Sequence, residues 1–325
     1  MRLDAAAPGA IDRAADALAA GELVALPTET VYGLGARADS DAAVAKIYAA
    51  KGRPAGHPLI VHVADTAAAA PFAAAWPDAA QRLAAAFWPG PLTVVVPRRA
   101  GIAAAAAGGQ GTIALRCPAH PVAQALLRAA AARGVAGVAA PSANRFGRVS
   151  PTRAAHVVDE FGDALLVLDG GACAVGIESV IVDCSRGRAV LLRPGLLTRG
   201  VLDAVLGMPL LNRDVGAPRA SGTLDAHYAP AAPVRLMAPA MLHNALQWLG
   251  AGEIGLAVYS RAAPPPGASV HHRRMPDTAA AVAHELFAVL RDFDHRGVRL
   301  IWVEQPPDSA DWDGVRDRLQ RAAAA

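Results

Sequence analysis

The sequence is poor in the residues that most readily declare a chemistry. Only three cysteines occur in 325 residues, Cys117, Cys173 and Cys184, and no two form a Cys-x-x-Cys pair. That excludes a disulfide framework and a zinc knuckle and makes a reducing cytoplasm the expected compartment. Aromatic residues make up 5% of the chain and are not interleaved with basic ones, which argues against a stacking platform for single-stranded nucleic acid. The net charge of +3, from 31 basic and 28 acidic residues, is too small and too dispersed for a nucleic-acid groove. No run is apolar for long enough to span a bilayer, and Met1-Arg2-Leu3-Asp4 is not expected to open a signal peptide. No Gly-x-x-x-x-Gly-Lys-[Ser/Thr] loop is present, so a P-loop enzyme is excluded, and no Gly-x-Ser-x-Gly elbow announces a serine hydrolase. Gly33-Leu34-Gly35 begins like a dinucleotide fingerprint, but Ala38 stands at the third glycine, so a tight turn is expected. His57, His62 and the His271-His272 pair lack cysteine or acidic partners at ligand spacing, and no protein metal site is expected.

What the chain has in abundance is small apolar side chains. Hydrophobic residues, many of them alanine, make up 54% of it and charged ones 18%, which implies packed helix faces and about two domains. The first two thirds alternate helices and strands. Helices are expected at Ile11–Ala20, after Ser40 or Asp41 as far as Lys51-Gly52, and at Pro121–Arg133, where proline suits the first turn. Strands are expected at 23–26, 59–63, 92–96, 112–116, 134–140, 165–168, 180–183 and 189–192. This pattern reads as an α/β domain with a mixed sheet over residues 1–207. From Met208 to Pro233 it dissolves into a Gly- and Pro-containing linker. A second strand–helix rhythm follows over 234–325: strands at 234–237, 254–260, 269–275 and 298–304, helices at 240–249, 279–293 and 312–322. It points to a small Rossmann-like parallel sheet.

Four segments place polar residues at the ends of apolar strands. Pro27-Thr28-Glu29-Thr30-Val31-Tyr32-Gly33-Leu34-Gly35 follows the first of these strands and suits a capped turn. Lys51-Gly52-Arg53-Pro54-Ala55-Gly56-His57-Pro58 then leads into Leu59-Ile60-Val61-His62. Cations there complement a helix C-terminus, and two prolines stiffen the turn that carries them. Pro141-Ser142-Ala143-Asn144, with Ser150 beyond it, ends an apolar run where open α/β sheets bind ligands. Gly176-Ile177-Glu178-Ser179-Val180, followed by Leu192-Arg193-Pro194-Gly195, suits a hairpin with an isolated arginine.

Taken together and in this order, these segments resemble the YrdC/Sua5 family. The resemblance runs from Ala10 to about Leu206, and the His227-Tyr228-Ala229-Pro230 linker with its trailing α/β domain is similar to the longer, Sua5-type branch. Val180 stands where the family commonly has threonine, and Ser221 where proline often precedes the linker glycine. The resemblance implies a twisted mixed sheet with helices around a large cavity, plus a small C-terminal Rossmann-like domain. It also implies an activity: L-threonine, bicarbonate and ATP would give threonylcarbamoyl-AMP and pyrophosphate, for threonylcarbamoyladenosine modification of tRNA.

By the same resemblance Lys51 and Arg53 hold the ATP phosphates and carry the catalysis. His57, Thr112, Ser142, Asn144, Ser150, Arg193 and Tyr228 complete the nucleotide side, and Thr30, His62, Arg116 and Ser179 grip threonine. Such a step needs positioning and charge neutralisation more than a protein nucleophile. Mg2+ would arrive with the nucleotide, the linker would be a lid, and a separate transferase complex would take the product to tRNA. Two other readings are an RNA-binding or ribosome-maturation module of the same fold, and a carbamoyltransferase, which would need a cysteine-rich zinc region that this chain lacks.

Overall fold

A computed structural model describes residues 1–248, 255–262 and 270–325. The chain divides into two compact units, the first made of Met1–Phe146 and Ser150–Thr223, the second of Gly147–Val149 and Leu224–Ala325.

Eleven strands of the first unit form one mixed sheet. They are β1 (Arg2–Asp4), β2 (Val24–Leu26), β3 (Gly33–Arg37), β4 (Ile60–His62), β5 (Leu92–Pro97), β6 (Thr112–Arg116), β7 (Val138–Ala139), β8 (Leu166–Asp169), β9 (Val180–Asp183), β10 (Val190–Arg193) and β11 (Leu211–Asn212). Their order is β1-β8-β2-β3-β7-β4-β6-β5-β9-β10-β11, with parallel and antiparallel pairs mixed throughout. The short apolar runs of the sequence are strands buried on both faces. Within β2, Val24 and Leu26 join one core cluster while Ala25 joins another, as the two-residue period of a strand requires.

Alanine sets how the helices pack. Ala10–Ala19 meets Pro121–Ala131 through Ala14, Ala15 and Leu18 against Ala123, Leu126, Leu127 and Ala130, all buried. Each alanine removes little area from water, but its small volume allows close interaxial approach, so the interface is held by density of contact. The helix Asp41–Lys51 starts where Ser40 Oγ accepts the Ala43 N–H, and ends at Gly52, whose φ of 63° is the left-handed conformation that glycine adopts freely. That stop fixes the point at which Lys51 and Arg53 leave the helix.

Two expectations are corrected. Gly33-Leu34-Gly35 is no tight turn; it lies in β3, paired antiparallel with β2. A Cβ on Gly35 would come within 2.9 Å of both Leu26 and Val138 side chains, so this glycine serves close packing between strands. The run 134–140 pairs as a strand only at Val138–Ala139, because Gly137 packs against the ring of Phe72 and Ala140 turns into the Pro141 loop. The helices Asp78–Phe87, Ala154–Phe161 and Arg199–Leu206 were not anticipated.

In the second unit β12 (Val234–Met237), β13 (Leu256–Ser260), β14 (Val270–Arg274) and β15 (Leu300–Glu304) form an all-parallel sheet in the order β12-β15-β13-β14. Helices Pro239–Gln247, Ala279–His295 and Asp313–Ala323 accompany it, giving the Rossmann-like alternation expected. Leu249, Ile254 and Ser269, which the sequence reading placed at element ends, lie outside the described residues. Tyr228 belongs to this unit. It is 1% exposed, stacks on Phe287 at 5.5 Å between centroids, and lies 5.3 Å from the Arg318 guanidinium. No helix among the described residues is long and apolar enough to cross a membrane.

Candidate active site

The site is built from one face of the large sheet. His62 of β4 and Arg116 of β6 are register partners, and Arg116 is in turn opposite Thr93 of β5. Directly paired residues project to the same face, so these three polar side chains stand in a row across adjacent strands. Two residues back along the strands, the same face carries Ile60, Ala114 and Val95, which pack with Ile181, Val190 and Leu192 into an apolar floor. Ala217 and Ala220 of the linker pack against that floor.

The row is held by hydrogen bonds from neighbouring loops. Thr93 Oγ1 lies 2.8 Å from Ser179 Oγ, just before β9. Arg193 donates to the Ser179 carbonyl from Nε (3.0 Å) and Nη2 (2.9 Å), and from Nη1 to the Ser221 carbonyl at 2.9 Å. On the other side Arg116 donates from Nη1 to Thr30 Oγ1 at 2.8 Å and from Nη2 to Glu29 Oε1 at 2.6 Å. Thr28 fixes the loop that carries these acceptors: its hydroxyl donates to the Val31 carbonyl at 2.6 Å and sits 2.9 Å from Thr30 Oγ1. The expected threonine residues Thr30, His62, Arg116 and Ser179 are therefore adjacent, linked by register and by Thr93. Arg116 is paired with a buried acid, Glu29, not with a surface one.

The expected nucleotide residues gather beside them. Lys51 is buried and donates its ammonium to the carbonyls of Ser142 (2.6 Å) and Asn144, tying the helix end to the Ser-x-Asn loop. That loop is anchored to β3 by the bridge between Gly33 and Ser142 and by the Leu34 N–H on the Pro141 carbonyl. Arg53 donates to the Pro58 carbonyl at 3.0 Å and lies over the Phe146 ring, which His57 meets edge-on at 5.6 Å. The Tyr48 hydroxyl lies between the carbonyls of His57 and Ala105 and pins the proline-flanked turn. Ser150 donates to Glu178, next to Ser179, and so joins the two clusters. Thr112 shares a face with Arg116 but begins β6 where Arg116 ends it, about 13 Å along the strand. A ligand reaching both would lie along the apolar floor. Tyr228 folds with the second unit.

Burial and charge set the protonation states. Loss of solvent, then the neighbouring Arg53, push the Lys51 ammonium well below its usual range, while Glu160 and Glu178 oppose that fall. His62 is pushed down to about 3, first by burial and then by Arg116, so its imidazole is neutral near pH 7. Among the described residues its buried Nδ1 makes no hydrogen bond of normal geometry, although the backbones of Ile60 and Val138 act on the ring. Burial, followed by Arg53 and Arg219, also lowers His57. Burial raises the thiols of Cys173 and Cys184 to about 12, so neither is poised as a thiolate. The arrangement can hold polyanions and a carboxylate in a low-dielectric, hydroxyl-lined space and offers no activated nucleophile.

Three members of this site were missing from the sequence reading: Glu29, Thr93 and Glu178. Glu29 and Glu178 lay inside recognised motifs, and two acids so close to apolar strands must be paired if they are buried. Thr93, inside an apolar strand, gave no such signal. Val180, one of the departures from the family pattern, is fully buried in β9, and Ser221, the other, serves Arg193 through its carbonyl alone.

Comparison with known proteins decides the family. The family model for Sua5, YciO and YrdC proteins, described as "Telomere recombination", matches residues 16–195. The chain belongs to the YrdC/Sua5 family. A second model, described as the C-terminal domain of threonylcarbamoyl-AMP synthase, matches residues 196–324, which places the chain in the two-domain Sua5 branch. The threonylcarbamoyl-AMP synthase of Bacillus subtilis is 36% identical, with 96% of this chain and 92% of that protein covered. That of Pyrococcus abyssi is also 36% identical, over 93% and 91% respectively. The crystal structure of P. abyssi Sua5 complexed with L-threonine superposes with a TM-score of 0.88 at 35% identity, covering 96% of this chain and 94% of that one.

Proposed function

We propose that this protein is an L-threonylcarbamoyladenylate synthase, a nucleotidyltransferase that converts L-threonine, bicarbonate and ATP to threonylcarbamoyl-AMP and pyrophosphate. The observation that carries the reading is the junction of two clusters on one sheet face. The row of His62, Arg116 and Thr93 reaches Ser179, and the adjoining Glu178 acts electrostatically on the buried Lys51 ammonium. The Sua5 relative crystallised with L-threonine supports assigning the first cluster to the amino acid.

In this reading Arg116 holds the threonine carboxylate, with Thr30, His62 and Ser179 around the rest of the molecule. Lys51, Arg53 and Arg193 neutralise the phosphates, assisted by His57, Thr112, Ser142, Asn144 and Ser150. The threonine amine forms a new N–C bond to carbon dioxide, losing a proton, or to bicarbonate, losing water, and becomes a carbamate. A carbamate oxygen then forms a bond to the α-phosphorus as the bond to pyrophosphate breaks. The protein contributes alignment and fixed positive charge, and both act more strongly away from water. Among the described residues no three or more His, Cys, Asp or Glu gather as a metal cage, so Mg2+ would enter on the triphosphate and add charge neutralisation there.

The linker segment over the apolar floor, fastened by Arg193 to Ser221, would exclude water from the carbamate and the mixed anhydride. In the cytoplasm the product would pass to a tRNA threonylcarbamoyl-transferase complex, and this chain need not bind tRNA itself. Purified protein should release pyrophosphate only when threonine, bicarbonate and ATP are all present; turnover indifferent to threonine would overturn the assignment. Tight tRNA or duplex-RNA retention on filters at physiological salt, with no such turnover, would favour the RNA-binding reading instead.

A further inference from the structure

The threonine-side row contains one charged group that has no part in the assignment above, the Glu29 carboxylate. It lies in the loop after β2, 8% exposed, and both its oxygens are engaged: Oε1 accepts from Arg116 Nη2 at 2.6 Å and Oε2 from the Ala119 N–H at 3.1 Å. The backbone brackets it too, because its own carbonyl accepts from the Val175 N–H at 2.7 Å. An acid so fixed cannot swing away from the arginine.

A guanidinium has five N–H groups. In Arg116 three are committed, one each to Glu29, to Thr30 and, at 3.4 Å from Nε, to the Gly90 carbonyl. Two have no partner among the described residues, the number that a carboxylate accepts in a bidentate pair. The commitments also fix the plane of the guanidinium, since acceptors on two separate loops, Glu29 and Thr30 on one and Gly90 on the other, oppose its rotation. Held this way, Arg116 carries a charge that Glu29 already neutralises at rest. The site is thus affordable when empty, with no bare buried cation, and a ligand carboxylate is selected by geometry more than by net charge.

We infer that Glu29 is a positioning residue: it orients Arg116 so that its two spare N–H groups present a bidentate seat for the amino-acid carboxylate. This rests on the assignment of Arg116 to that carboxylate. Replacing Glu29 by glutamine leaves only one carbonyl oxygen for two donors, so either Arg116 or the Ala119 N–H loses its partner. Replacing it by aspartate keeps the charge but withdraws the carboxylate by about one C–C bond, roughly 1.5 Å, so it cannot reach both.

The test is steady-state kinetics of threonine-dependent pyrophosphate release for wild type, E29Q, E29D and R116A, with L-threoninamide as a competing ligand that lacks the carboxylate. E29Q is expected to raise KM for threonine about tenfold or more, to leave KM for ATP within about twofold, and to reduce the preference for threonine over threoninamide. E29D should restore part of that preference. ATP binding by calorimetry checks that each variant is folded. Failure of R116A to alter threonine KM would overturn the carboxylate assignment itself. A threonine KM raised in R116A but unchanged in E29Q would leave that assignment standing and overturn the role of Glu29. Equal losses toward threonine and ATP in E29Q, not relieved in E29D, would reduce Glu29 to a structural ion pair and overturn the inference as well.

Discussion

Replacing Lys51 by methionine removes an ammonium while keeping most of the side chain's volume, and the structure sets opposing consequences. The carbonyls of Ser142 and Asn144 lose their donor, each loss costing about 1–3 kcal/mol if left unmet, while a desolvated charge beside Arg53 is also removed. The two effects offset, so stability at neutral pH should change by only about 1 kcal/mol. ATP binding should change more. A charge-assisted contact of about 1.5–3 kcal/mol corresponds to roughly 10- to 150-fold weaker binding.

The pH dependence follows from the sign of the shift. Below the lowered folded-state value of Lys51 the cost of burying its charge is present in full. As pH rises from there toward the unfolded value of 10.5 the unfolded chain binds more protons, so wild type gains stability relative to Lys51→Met. Phosphate at Nζ favours the charged form, so ATP binding should take up a proton at pH values above the lowered folded-state value of Lys51. Calorimetry in two buffers of different ionisation enthalpy measures that uptake. Equal ATP affinity and equal proton uptake in wild type and Lys51→Met would refute the reasoning.

Other outcomes follow from single residues. Gly35→Ala should destabilise the protein by about 1–3 kcal/mol in chemical denaturation, since the added methyl meets Leu26, Val138 and the Val24 carbonyl within 3.0 Å. His62 is lowered from 6.5 to about 3, so its contribution to stability should be complete above pH 6.5 and decline as pH falls toward 3, by about 1.4 kcal/mol per unit; His62→Gln should remove that slope from the pH–stability profile. Tyr228→Ala should cost about 3–5 kcal/mol by loss of the stack on Phe287. Chemical denaturation measures that loss, and an unchanged midpoint would contradict the packing role of Tyr228.

Much of this organisation could be read from the chain. Strands such as Thr112–Arg116 and Val180–Asp183 were visible because short apolar runs end at abrupt polar residues, and the Asp41–Lys51 helix because serine and glycine bracket it. The strand at Gly33–Arg37 was not, since its glycines are needed for contact with Leu26 and Val138, a reason written in distant residues. Site members that stand in motifs could be found by residue type. Thr93 could not, nor could the partner of Glu29, because both depend on a register that brings β5 and β6 together beside the Thr28–Val31 loop. The Asp78–Phe87 helix buries Ala80, Leu83 and Ala84 at helical spacing, so its periodicity was present in the sequence; what it lacks is a side-chain cap to mark its start.

The most direct test of the central claim follows the carbon of bicarbonate. Purified protein incubated with ATP, L-threonine and 13C-bicarbonate, then quenched rapidly and examined by mass spectrometry, should yield an adenylate carrying both threonine and one 13C, with pyrophosphate in equal amount. Pyrophosphate release without a labelled threonine-containing adenylate, or an adenylate that forms equally well without threonine, would contradict it.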